Sequence, residues 1–232
     1  MNKTSRRAAP TMIVALIAFG FGARVSNAQT FSGWLVTTHA GAESPESAGR
    51  IFVSDKRARI EVSTLADGFL LVDVDGPRAL FVKPAARLIM DAKRSSDTTQ
   101  IFVPVDPAVA CEQWAAMERI AGPALNDEPS TCERLGTEEM DGRTVVKYEV
   151  GADPARRSTR WVDVRRRFPV KVERADGTVV MLESIVDGPQ PATLFDVPAN
   201  YRMFDPLQLI DRIKQSDVWV EPPPAKRPGG PQ

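Results

Sequence analysis

Asp-Gly pairs recur at 67–68, 75–76, 141–142, 176–177 and 187–188, each close to a short run of apolar and β-branched residues. That dipeptide suits the positive backbone φ of tight hairpin turns, so the chain is punctuated for a meander of antiparallel strands. Between the turns, Ala58, Ile60 and Val62 alternate with Arg57, Arg59 and Glu61. Val146, Tyr148 and Val150 alternate with Lys147 and Glu149, and Phe168, Val170 and Val172 with Lys171 and Glu173. A period of two puts one face of each strand in a core and the other in water. The runs at 69–74, 80–82, 87–90 and 179–186 are in places apolar on both faces, as expected for strands covered on both sides or lining a cavity. Phe69 and Leu71 are therefore candidate ligand contacts. The string Asp73-Val74-Asp75-Gly76 begins like a calcium loop, but its later ligands and closing Glu are missing, and a hairpin turn is the reading taken.

The N-terminus sets the compartment. Lys3, Arg6 and Arg7 precede a ten-residue apolar run from Met12 to Phe21, and the small-residue site Ser26-Asn27-Ala28 follows. This is the pattern of a secretory signal peptide cut after Ala28, and the run is too short to span a bilayer. We expect residues 1–28 to be the signal peptide, 29–204 one β domain, and 205–232 a short amphipathic helix with a Pro-rich tail. The mature protein is expected in the periplasm without a transmembrane segment. Residues 1–28 carry four cations and no anions, so the mature chain has 26 Lys plus Arg against 30 Asp plus Glu. A net charge of about −4 points away from nucleic acid as a partner.

Helical periodicity is strongest over 108–121, where Ala110, Trp114, Met117 and Ala121 share a face and Cys111 borders it. Trp114 and Met117 either pack on the sheet or line an apolar pocket between helix and sheet. Two cysteines in an exported chain favour pairing, so Cys111–Cys132 is expected as a disulfide tying the helix to the strand-like 133–137. By the loop-entropy account, closing about 22 residues contributes roughly 3 kcal/mol. Near the end of the chain, Val218, Trp219 and Val220 form an apolar segment that either docks on the domain or presents an anchor.

Motifs in one order cover residues 133–201: Glu133-Arg134-Leu135-Gly136-Thr137-Glu138, Asp141-Gly142-Arg143-Thr144, Arg160-Trp161-Val162-Asp163, Phe168-Pro169-Val170-Lys171 and Leu194-Phe195-Asp196-Val197-Pro198-Ala199-Asn200-Tyr201. This stretch resembles the LolA-like family of exported bacterial proteins, the superfamily of the lipoprotein carriers and of the sensor domain of the sigma-E regulator. The resemblance implies a mainly β (α+β) fold, an incomplete antiparallel β-barrel curled around a few helices, with an apolar concavity that in some members accepts acyl chains. The residues themselves also read as fold maintenance. Trp161 and Phe168 anchor a hairpin around Arg165-Arg166-Arg167, and 194–198 is expected to plug the end of the barrel. The Arg cluster, with Arg156, Arg157 and Arg160, is either a solvated turn or a basic patch.

With one His, two Cys and two Tyr, the chain has few groups for covalent or metal chemistry. It shows no nucleophile elbow, phosphate loop or zinc spacing. We expect no enzyme, no cofactor and no metal site. The expected function is that of a periplasmic binding protein that holds a lipid, lipoprotein acyl chain or other hydrophobic ligand in its concave sheet, with Trp114, Met117, Phe69, Leu71 and Trp161 as contacts. The alternative is an envelope sensor or scaffold that binds another envelope protein through the same fold or its C-terminal tail.

Overall fold

In a computed structural model, the described residues are 29–63, 65, 67–76, 78–93, 98–121 and 130–205. The signal-peptide reading of 1–28 and the helix and tail readings of 206–232 lie outside them. The alternating segments form one twelve-stranded open sheet. Its strands are β1 (Thr30–Thr38), β2 (Glu46–Ser54), β3 (Arg57–Val62), β4 (Phe69–Asp73), β5 (Arg78–Lys83), β6 (Leu88–Asp91), β7 (Thr131–Met140), β8 (Arg143–Gly151), β9 (Ser158–Asp163), β10 (Phe168–Arg174), β11 (Val179–Asp187) and β12 (Arg202–Met203). The spatial order is β12-β6-β5-β4-β3-β2-β1-β11-β10-β9-β8-β7. All pairs are antiparallel except β12 with β6. The two edges do not close on each other, which makes the barrel incomplete.

Turn chemistry follows the sequence at 141–142, where Asp141 and Gly142 have φ of 52° and 72° between β7 and β8, the double positive φ of a tight hairpin. Gly177, at φ 78°, turns β10 into β11. The pair at 187–188 is different. There the Gly188 amide donates to the Thr30 carbonyl and the chain leaves the sheet instead of turning back. The Asp73 carboxylate accepts from the Asp75 and Gly76 amides, so the calcium-like string is a hydrogen-bonded turn. Among the described residues no group of three or more His, Cys, Asp or Glu stands together as a metal site.

The chain passes from one half of the sheet to the other through residues 92–130, which carry α1 (Thr98–Ile101) and α2 (Ala110–Ala121) across the inner face. The start of α2 is built locally. The Asp106 carboxylate accepts from the Ala108 amide, and the Gln113 side chain reaches back to the Asp106 amide at 2.6 Å. These two bonds fix the turn through 106–109 that leads into α2. The Tyr148 hydroxyl donates to the Pro107 carbonyl and fastens the entry to β8. Cys111 and Cys132 form the expected disulfide, with a Cα–Cα distance of 5.5 Å, joining α2 to β7.

Alternation sorts the side chains. Phe31, Leu35, Ile51, Val53, Ile60, Leu70 and Val72 are buried in one core with Ile101, Phe102, Val103 and Trp114 from the crossing segment. Phe31 meets Phe168 edge-on at 5.3 Å, closing the core between β1 and β10. The concave face is therefore filled largely by the chain's own residues 101–114. The apolar concavity that the resemblance implies is narrowed because that connection enters it.

Candidate ligand site

Among the described residues, a cleft of about 340 Å³ opens on the inner side where α2 meets the 103–106 segment. Its apolar lining comes from Val74, Val103, Pro104, Val105, Ala116 and Met117. Two ion pairs stand on its rim, Lys56 with Asp75 at 2.6 Å and Arg167 with Asp106. Each cation there is matched by a carboxylate, so the rim is polar but close to neutral. An apolar floor with a few oriented polar groups is the usual makeup of a small-molecule site, and the volume lies at the lower end of such sites.

The structure does not gather the five candidate contacts. Met117 lines the cleft. Trp114, one turn earlier, is 5% exposed and packs edge-on against Tyr148 at 5.4 Å, with the Arg160 guanidinium 4.8 Å from its ring. It is core, facing β8 and β9. Phe69 and Leu71 point to the opposite face from Leu70 and Val72, where they pack with Val82, Leu80, Ile89, Val197 and Tyr201. Trp161 also lies on the outer face, in register with Lys147 and Lys171. Their ammonium groups stand 5.1 and 4.2 Å from its ring, and its indole N–H donates to Glu138. These three therefore lie on the face opposite the cleft. A strand apolar at successive positions is covered on both sides, and the outer cover here is the chain's own.

That cover is the segment expected to plug the barrel end. It instead runs over the outer surface of β3 to β6. Phe195 sits under the Arg57 guanidinium at 5.1 Å, Arg59 donates to the Leu194 carbonyl, and the Arg202 amide donates to the Arg87 carbonyl. Apolar strand positions on the outer face leave no better place for Leu194, Phe195 and Val197. The cleft residues Val103 and Val105 were missed by sequence reasoning. They lie in irregular connections and carry no periodic signal.

Five members of the arginine cluster stand in ion pairs, and Arg160 lies over the Trp114 ring. Arg166 pairs with Asp163 and Asp187, both at 2.7 Å, Arg165 with Asp187, Arg156 with Asp153 and Arg157 with Glu149. Desolvation opposes the charge on Arg166, but hydrogen bonds to Asp187 and Asp163 outweigh it and hold its pKa above the ordinary value. Burial pushes the Tyr148 hydroxyl up, with Arg134 opposing. Among the described residues no helix is long and apolar enough to cross a membrane.

No family model matches the chain, and no curated protein matches it. Solved structures with a similar course of the chain include PNGF-II in a P21 crystal form, with TM-score 0.48 and 12% identity over 81% of this chain and 33% of that one. MucB in complex with MucA(peri) gives TM-score 0.37 and 14% identity over 73% of this chain and 54% of that one. The LolA superfamily protein NE2245 from Nitrosomonas europaea gives 0.31 and 12% over 72% and 90%. This chain thus spans about a third of the PNGF-II chain and about half of the MucB chain. Each of these likenesses concerns the course of the chain alone.

Proposed function

We propose that the mature chain is an exported periplasmic binding protein that takes one apolar chain, such as a lipid or lipoprotein acyl chain, into the cleft beside Met117. The observation that supports this reading is the cleft itself, apolar within and open at the rim. Because Lys56 and Arg167 are already matched by Asp75 and Asp106, the rim supplies little net attraction for an anionic head. Selection rests on the apolar tail. Burying about ten methylenes contributes ~8 kcal/mol before ordering costs, enough for useful affinity with no charged anchor.

Native mass spectrometry of the mature protein, purified without detergent, before and after solvent extraction, tests this directly. A bound mass that is lost on extraction is the expected result. Met117→Trp, which fills the cleft from the helix side, should abolish that mass while leaving the thermal midpoint within a few degrees. Raising salt from 0.05 to 0.5 M should leave occupancy unchanged. A bare mass in every preparation would remove the reading.

A further inference from the structure

The outer face carries a second feature, on the opposite side of the sheet from the cleft. Trp34 on β1 is 46% exposed, and Val186 on β11 is 63% exposed. Between Trp34 and Phe52 lies the Arg50 guanidinium, 5.5 Å from one ring and 4.7 Å from the other. Arg50 is paired in register with Trp34 on one side and Glu61 on the other. The Glu61 carboxylate, however, is taken by Arg59 at 2.7 Å. Glu183, in register with Trp34 across β1 and β11, is not bonded to Arg50 either. Among the described residues Arg50 has no carboxylate partner, whereas three of the four other cations that stack on a ring on this face have one. Arg59 has Glu61, Arg57 has Asp196 at 3.8 Å, and Lys171 has Glu173 at 3.6 Å. A flat guanidinium fixed between two rings beside exposed Trp34 and Val186 suits an apolar side chain next to a carboxylate.

We propose that this platform docks segment 217–221 of the same chain, in which Asp217 and Glu221 flank Val218, Trp219 and Val220. Three observations select that occupant. The charges complement, since the segment brings two carboxylates and no cation to an arginine that lacks one. The chain also starts from the right place. The Phe204 amide donates to the Ile89 carbonyl on β6, so the last described residues lie at the edge of this same sheet. From β6, Arg50 is four strands away and Trp34 five, or about 19 and 24 Å at the usual spacing. The twelve residues from Asp205 to Asp217 reach up to ~40 Å when extended. Finally, residues 194–203 already lie over the outer face of β3 to β6, and the proposed contact continues the same cover toward β1. A tethered segment acts at millimolar effective concentration, so a contact of modest strength is occupied.

The test places the photo-crosslinking residue p-benzoylphenylalanine at position 219 of the full mature chain and maps the adducts by mass spectrometry. We expect an intramolecular adduct to residues 32–36 or 50–54. Arg50→Glu should lower its yield about fivefold, the size of an exposed ion pair. Combining Arg50→Glu with Asp217→Lys and Glu221→Lys should restore it, which a misfolded variant would not do. An adduct elsewhere, a yield indifferent to Arg50→Glu, an adduct at twice the chain mass that reports a second copy, or no adduct at all would overturn the proposal.

Discussion

The two faces of the sheet solve the same problem with different chemistry. On the inner face, aliphatic and aromatic side chains are sealed by α1, α2 and the segment between them, and Trp114 there is 5% exposed. On the outer face the aromatic residues lie under cations, Trp34 and Phe52 with Arg50, Phe69 with Arg59, Phe195 with Arg57, and Trp161 with Lys147 and Lys171. A cation over a ring covers apolar surface while keeping its own charge near water, so a sheet can carry large residues on an uncovered side. Phe52, Phe69, Phe195 and Trp161 are thereby buried much as Trp114 is inside, and of these outer rings Trp34 alone stays exposed.

Truncating the two kinds of tryptophan gives the sharpest separation. Trp114→Ala removes the edge-on contact with Tyr148 and leaves a cavity under α2, which should cost about 3–5 kcal/mol in urea unfolding. Trp34→Ala, on the outer face, should stay within about 1 kcal/mol. Equal losses at the two sites would break the comparison.

The next effect concerns what keeps the inner face covered. α2 is tied to the edge strand β7 by the Cys111–Cys132 disulfide. Replacing both cysteines by Ser should lower stability by roughly 3 kcal/mol. It should also raise the binding of an apolar dye as α2 loosens from Tyr148. A drop in stability without new dye binding would mean that the staple acts on the unfolded chain alone.

On the outer face, Arg59 stands 3.5 Å from the Phe69 ring centroid and ion-pairs with Glu61. Arg59→Ala should cost about 1–2 kcal/mol. Arg59→Lys should recover less than half of that, because an ammonium cannot lie flat on the ring while holding Glu61 and the Leu194 carbonyl. Thermal unfolding of the three proteins checks the order.

Much of the fold was legible. The period-two runs at 57–62, 146–150 and 168–172 are β3, β8 and β10, the helix of 108–121 begins two residues later at Ala110, and the two cysteines pair. The candidate site was not legible to the same degree. Alternation separates the two faces of a strand but does not tell which one is inside when both are apolar, and that is the condition of Phe69-Leu70-Leu71-Val72. Phe69 and Leu71 fell outside because residues 194–201 cover them, a contact more than a hundred residues distant in sequence. Trp161 misled for a related reason. Its burial comes from Lys147, Lys171 and Glu138, residues that read as solvated.

The smallest effect lies in a turn that decides which face is which. At the β10–β11 hairpin the Asp176 carboxylate accepts from the Thr178 amide at 2.8 Å, and this bond holds its pKa below the ordinary carboxylate value. A one-residue slip there would exchange Val180 and Leu182 on the inner face with Met181 and Glu183 on the outer. The folded state favours the charged carboxylate, so its contribution is complete above the unfolded pKa of about 3.9 and fades as pH falls through the lower folded value. Asp176→Asn keeps an acceptor oxygen but no charge. It should be slightly less stable than the parent at pH 6, and the two should converge as pH is lowered toward 2, when the parent carboxylate is also neutral. Urea midpoints at several pH values check this. A gap that persists unchanged at low pH would show that the Asn side chain fails to hold the turn, and that register, not charge, is what Asp176 maintains.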